Sequence, residues 1–159
     1  MYTNPKLRAK MEIPIEKGNT MNVAVLGASN KPERYSFMAV RLLREKGHTP
    51  YPVHPALAMV DGLPVYPSLR AIPAPVDTIT VYLSARNQQH IADDLLNSGA
   101  RRVIFNPGAE NPELAEALRQ RGKEVLDACT LVLLTTGQFA RAADAATPSP
   151  DAGRAQVLS

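Results

Sequence analysis

Val23-Ala24-Val25-Leu26-Gly27-Ala28-Ser29-Asn30-Lys31-Pro32-Glu33-Arg34-Tyr35-Ser36 is the stretch on which the fold turns. Four consecutive apolar residues without alternation suit a strand covered on both faces, as the strands of a parallel sheet are. Gly27 breaks the run and permits a tight turn with close backbone approach. Ser29 and the amides after it can hydrogen-bond an anion at the start of the next helix, where the helix dipole favours negative charge. Lys31 and Arg34 add the positive charge that a nucleotide phosphate needs, so Gly27 to Ser36 reads as a phosphate-binding first turn. No second glycine follows before Gly47. The dinucleotide pattern G-x-G-x-x-G is therefore absent, and a plain structural turn is the bland alternative.

Outward from this stretch, strands and helices alternate. Phe37, Met38, Val40, Leu42 and Leu43 lay an apolar stripe at helical spacing between Ser36, a candidate N-cap, and Gly47. His48 to Val53 form a second strand in which Pro50 and Pro52 point to an edge or irregular element. Pro55 to Pro75 is a proline-rich rigid connection, with one extended piece and one helical turn capped by Ser68. Asp77 to Leu83, β-branched and mostly apolar, is a third strand. Asn87 caps the following helix, Ile91 and Leu95 share its inner face, and Gly99 stops it. Arg101 to Phe105 is a fourth strand ending in Asn106-Pro107-Gly108. Asn111-Pro112-Glu113 starts a helix with N-cap, N1 proline and early acid, and Gly122 closes it. Glu124 to Leu126 is a fifth strand, and Leu131 to Arg141 a last apolar or helical piece.

This alternation predicts an α/β fold of the Rossmann-like, doubly wound kind: a parallel five-stranded sheet with helices on both faces. The expected strand order is 3-2-1-4-5, which opens a crevice between the C-terminal ends of strands one and four, lined by Gly27 to Ser36 and Asn106 to Gly108.

A chain of 159 residues suits a single domain. The expected division is an extension at residues 1–20, a domain at 21–141 and a disordered tail at 142–159. A net charge of +3 with 5% aromatic residues and no dense Lys/Arg run disfavours nucleic acid as a partner. The single cysteine, Cys129, excludes an internal disulfide framework and a multi-cysteine zinc site. With no apolar run of membrane-spanning length, the expectation is a soluble, cytoplasmic protein without membrane contact.

For the ligand, a dinucleotide-binding sheet usually ends its second strand with Asp or Glu for the ribose hydroxyls. Val53-His54-Pro55 stands there instead, which argues against NAD and leaves room for a ligand with extra phosphate near the ribose. The residues resemble the CoA-binding protein family, small Rossmann-like proteins similar to the CoA-binding domain of the succinyl-CoA synthetase alpha subunit. The resemblance spans roughly Met21 to Phe139. It rests on Val25-Leu26-Gly27-Ala28-Ser29 with Asn30-Lys31-Pro32 and Arg34-Tyr35-Ser36, on Pro52-Val53-His54-Pro55, and on Gly62-Leu63-Pro64-Val65-Tyr66-Pro67-Ser68-Leu69. It continues in Phe105-Asn106-Pro107-Gly108 with Glu110-Asn111, and in Ala128-Cys129-Thr130.

What the resemblance implies is coenzyme A held by its diphosphate on Gly27, Ala28, Ser29, Asn30, Lys31 and Pro32, helped by Arg34 and Ser36. Val53, His54 and Pro55, then Tyr82 and Leu83, then Asn106, Pro107 and Gly108 would line the rest of the groove. His54 stands where relatives often carry Asn. Nothing supplies a phosphohistidine segment or a nucleotide-grasp partner, so ligase activity does not follow. The leading expectation is a module that binds CoA or an acyl-CoA as carrier, sensor or accessory protein, without a catalytic centre. The alternatives are a small NAD(P)-dependent oxidoreductase using the same crevice, and an interaction domain that binds no nucleotide. A homo-oligomer or a protein partner is left open.

Other polar residues take bland readings. His48 and His90 are expected at the surface, without metal-ligand spacing. Cys129 is a small buried hydrophobe or, less simply, a thiol able to pair with that of CoA. Asp93 and Asp94 diverge on their helix and read as solvated. Arg101-Arg102, at the sheet end opposite the crevice, read as surface charge. No Ser-His-Asp elbow or P-loop is present.

Overall fold

The structure, a computed structural model, describes residues 20–140. The expected extension, apart from Thr20, and the expected tail lie outside the described residues. β1 (Asn22–Leu26) runs into α1 (Tyr35–Glu45), then β2 (Thr49–Val53). A small hairpin of β3 (Met59–Val60) and β4 (Leu63–Pro64) and a 3-10 turn (Leu69–Ala71) fill the proline-rich connection. There follow β5 (Thr78–Val81), a 3-10 turn (Ala85–Gln88), α2 (Ala92–Asn97), β6 (Arg102–Phe105), α3 (Pro112–Gln120), β7 (Glu124–Asp127) and α4 (Thr130–Thr135).

β1, β2, β5, β6 and β7 form one parallel sheet, as expected. Its order corrects the expectation. The sheet runs β2-β1-β5-β6-β7, so the third long strand lies beside the first, and the second stands alone at an edge. The physical reason is in Thr49-Pro50-Tyr51-Pro52-Val53. Thr49 donates its amide inward to the Met21 carbonyl at 2.9 Å, and alternation then turns the positions of Pro50 and Pro52 outward, where neither has an N–H to offer a further strand. Among the described residues that outer side carries a single bridge, in which Tyr66 donates to the Pro52 carbonyl at 2.9 Å and accepts the His54 amide at 3.0 Å. The topological switch point therefore lies between β1 and β5, not between the first and fourth long strands.

Two apolar layers sandwich the sheet. On one face α2 and α3 bring Leu95, Leu114, Ala115 and Leu118 onto Ala24, Leu26, Ile79, Val81, Val103 and Phe105. On the other, α1, α4 and the hairpin bring Phe37, Val40, Leu43, Leu134 and Val60 onto Val23, Val25 and Ile104. Every residue of β5 and of β6 is buried, which is why, Arg102 apart, their sequences run apolar or β-branched without alternation.

Local signals hold where capping chemistry is complete. Asn111 accepts the Leu114 amide at 3.2 Å, with Pro112 at the first turn of α3. Two other caps move. α1 begins at Tyr35 with Arg34 in the cap position and no side-chain cap, while Ser36 is buried inside its first turn. Asn87 lies within the 3-10 turn, where Ser84 caps it by accepting the Asn87 amide at 3.4 Å. Ile91, not Asn87, precedes α2. Asp94 is not free in solvent but pairs with Arg70 at 2.8 Å, tying the proline-rich connection to α2, whereas Asp93 is exposed.

The largest departures lie at the N-terminal edge of the sheet. Arg102, expected on the surface, is 1% exposed. Its Nε donates to Thr78 Oγ1 at 3.1 Å and its Nη1 to the Phe139 carbonyl at 3.0 Å, while the guanidinium lies 4.4 Å from the Phe139 ring centroid. Burial lowers its pKa to about 10. His48, also expected outside, is 8% exposed, accepts the Met21 amide on Nδ1 at 3.1 Å and meets the Phe139 ring edge-on. A ring nitrogen that accepts is unprotonated, and burial together with nearby Arg102 lowers the His48 pKa to about 4. His90 is exposed, as expected.

Candidate functional site

The C-terminal ends of β1, β2, β5 and β6 gather the residues singled out in the sequence. Gly27 sits at φ +88, and a Cβ on it would lie 3.1 Å from Leu83 Cγ. Backbone conformation and space both demand glycine here, because the loop after β5 packs directly on the loop after β1. Tyr82 donates its amide to the Leu26 carbonyl at 2.9 Å, closing the two strands together at the switch point.

The amides of Gly27 and Ala28 do not face a ligand. Both donate to the Val53 carbonyl, at 3.2 and 3.1 Å. The first turn therefore begins its open polar surface only at Ser29. Ser29 Oγ accepts the Lys31 amide at 3.0 Å, and Arg34 donates its amide to the Lys31 carbonyl at 2.9 Å, so the loop is wound by its own bonds. It delivers the chain into α1 without a side-chain cap, and the amides of Tyr35 and Ser36 have no carbonyl within the helix to receive them. Asn30, Lys31, Pro32 and Arg34 are exposed around that start. An uncapped helix N-terminus flanked by Lys31 and Arg34 carries the positive end of the helix dipole among exposed basic side chains.

The second wall comes from β2. Val53 is buried, Pro55 exposed and His54 half-buried. His54 Nδ1 accepts the amides of Ala56 and Leu57 at 3.0 and 3.1 Å, which sets the ring as a loop cap and leaves its proton on Nε2 when neutral. Its backbone amide donates to the Tyr66 carbonyl at 3.0 Å. Capping the loop and offering Nε2–H outward are compatible roles.

Asn106 turns inward. It is 2% exposed, its Nδ2 donates to Thr80 Oγ1 at 2.6 Å and to the Val81 carbonyl at 3.0 Å, and its Oδ1 accepts the Thr130 amide at 2.8 Å. Thr80 and Thr130 share a further hydroxyl bond at 2.8 Å. The side chain thus braces β5, β6 and the head of α4 beneath the crevice. Pro107 and Gly108 are exposed beyond it, and the Gly108 amide donates to Glu110 Oε1 at 3.0 Å. That carboxylate makes the β6 wall a poorer place for an anion than the α1 side.

Between them lies Tyr82, whose hydroxyl is buried without a hydrogen-bond partner. Burial pushes its pKa well above the ordinary phenol value. Leu83 closes over Gly27. Cys129 is half-buried in the cap position of α4, next to Thr130.

Arg86 was missed by sequence reading. It is exposed on the 3-10 turn leaving β5, and so stands at the same edge as Lys31 and Arg34. Only the placement of β5 beside β1 could have found it, because nothing local distinguishes it from any surface arginine. Gln88, also unremarked, bonds the Leu83 and Ala109 carbonyls at 2.8 and 2.7 Å and accepts from Asn111, fixing the β5 and β6 loops to each other. Among the described residues no group of three or more His, Cys, Asp or Glu is placed to hold a metal ion, and no helix is long and apolar enough to cross a membrane.

Residues 21–135 match a family model described as a CoA binding domain. The Bacillus subtilis protein YneT, itself described as uncharacterized, is 27% identical over 125 residues, spanning 78% of this chain and 93% of its own. A solved structure of another uncharacterized protein is 37% identical with a TM-score of 0.71, over 76% of this chain and 98% of that one. A Thermus thermophilus protein is 27% identical with a TM-score of 0.70, over 84% of this chain and 97% of its own.

Proposed function

The chain belongs to the CoA binding domain family, and from that premise we propose that it binds coenzyme A or an acyl-CoA across the β1–β5 switch point, as a carrier, sensor or accessory module without a catalytic centre. The observation that carries this reading is the uncapped start of α1, set between exposed Lys31 and Arg34 at the edge where open α/β sheets take their ligands. On this reading the diphosphate lies against Ser29 to Pro32 and the first amides of α1, with Arg34 and Arg86 supplying further charge. Gly27 and Ala28 contribute by keeping the backbone low. Ser36 contributes its amide, its hydroxyl being inside. His54 donates from Nε2, while Val53, Pro55, Leu83, Pro107 and Gly108 line the groove. Tyr82 and Asn106 shape its floor from within. The binding unit is residues 21–141, with residues 1–20 and 142–159 as appendages to it.

The test is a thermal-shift and calorimetric titration with CoA, 3'-dephospho-CoA, NAD and NADP. At about a hundred times its dissociation constant a ligand stabilises the fold by roughly 2.7 kcal/mol, enough for a clear melting shift. CoA is expected to bind, and Ser29→Ala and Lys31→Ala are expected to weaken it. Binding of NAD or NADP in its place overturns the reading in favour of a dinucleotide site, and silence from all four ligands makes the first turn structural.

A further inference from the structure

α4 and the turn after it are fastened at both ends of the sheet. At the head, Thr130 is held by the Asn106 and Thr80 side chains under the ligand edge. At the foot, the chain turns through Gly137 and seats Phe139 on Arg102 and His48 at the opposite edge. Between them Leu134 is buried against the β1 face of the sheet. We infer that Thr130 to Phe139 is a strap whose grip at the ligand edge is loosened from the far edge when His48 takes up a proton.

The geometry of the foot makes it sensitive to that one proton. His48 Nδ1 accepts the Met21 amide at 3.1 Å, so protonating it sets an N–H against an N–H. The new charge also arises beside Arg102, whose Nη2 is already buried without a partner. Among the described residues Arg102, on β6, is the charged group acting on His48. Around Arg102 stand Arg101, which adds to its charge, and Glu124 on β7 and Asp77 before β5, which offset it. Among the described residues neither carboxylate lies within ion-pair distance of Arg102, so each offsets a second cation at the foot only from a distance. Phe139 touches both basic groups, and is the piece that leaves when they repel.

The head follows because α4 is short. Six residues cannot hold a helix without support, and its first residue is also the one that Asn106 and Thr80 grip. Releasing the foot leaves Thr130 and Cys129 fastened by the head bonds and the Leu134 anchor, without the second end that holds the strap taut. The inference does not depend on which ligand occupies the crevice.

Cys129 is the chain's single cysteine, and its place at the head makes it an internal reporter. Its labelling rate with 4,4'-dithiodipyridine is to be compared between the unaltered protein and His48→Gln, whose amide oxygen can still accept from Met21 but does not titrate in this range. Taking the ratio of the two rates at each pH cancels the ordinary acid dependence of the thiol. The ratio is expected to rise severalfold between about pH 7 and pH 5, with a limit of about tenfold per pH unit set by uptake of one proton. A ratio that stays constant overturns the proposal. Should His48→Gln not fold, NMR of the unaltered protein decides: the amides of Thr130 to Thr135 are expected to shift with the same midpoint as the His48 ring while those of β1 stay still, and strap amides that ignore that midpoint overturn it equally.

Discussion

The two edges of this sheet carry basic residues in superficially similar settings and use them in opposite ways. At the C-terminal edge Lys31, Arg34 and Arg86 are exposed around an uncapped helix start, their charges available to whatever arrives. At the N-terminal edge Arg102 and His48 are sealed beneath Phe139, their donors and acceptors turned to backbone, threonine and ring. In the sequence an Arg next to a strand looks the same in either place. The difference teaches that burial, not residue type, separates a charge left open to solvent and ligands from a charge that holds the chain together.

The sharpest test of that contrast is Arg102→Ala, which leaves Thr78 and the Phe139 carbonyl without their donor and opens a cavity under the ring. A loss of about 3 to 5 kcal/mol in urea unfolding is expected. If the variant is as stable as the parent, the N-terminal edge is not a structural lock. Asn106→Ala should come next, at roughly 2 to 4 kcal/mol by the same measurement, since three polar groups of β5 and α4 lose their bonds at once. A variant that keeps its stability but loses only ligand affinity would move Asn106 from brace to contact.

His48 makes the lock acid-labile in a defined direction. Its pKa is about 4 in the fold and 6.5 in the unfolded reference, so the unfolded chain binds more protons between those values. The contribution is fully present above about pH 6.5 and is lost as pH falls toward 4, by at most roughly 3 kcal/mol. Denaturation curves across that range should slope in the parent and flatten in His48→Gln. At the other edge Gly27→Ala is expected to cost about 1 to 3 kcal/mol, from positive φ and the approach of Leu83, and to lower CoA affinity with it. Smallest in stability is Lys31→Ala, expected within about 0.5 kcal/mol of the parent while CoA binding weakens about tenfold and depends less on salt. A melting temperature that falls with affinity would blur the two edges.

Much of this was legible where the cause is local. Asn111-Pro112-Glu113 announces α3 because every element of the cap lies within a few residues, and the unalternating runs of β5 and β6 report burial on both faces. The strand order was not read correctly, although Pro50 and Pro52 carry the information: two missing outward donors are incompatible with an interior strand, and that constraint outweighs the more familiar Rossmann order. Arg102 and His48 were unreadable for a different reason. Their burial depends on Phe139, dozens of residues away, and no pattern around either residue anticipates a ring laid across both. At the C-terminal edge the basic first turn was visible, but Arg86 became part of the edge only through the corrected neighbour relation, and Asn106 changed from expected groove wall to hidden brace.

The two prolines of β2 have one more consequence. A parallel sheet ends in a strand whose outward amides would template the pairing of another chain, and the usual remedies are charge, twist or cover. Here Pro50 and Pro52 remove two donors from that margin and Tyr66 occupies a neighbouring acceptor, so the margin gives a foreign strand little to pair with. The residues that set where the sheet stops also leave this margin short of donors for a foreign strand, and Pro52→Val is the substitution that restores one.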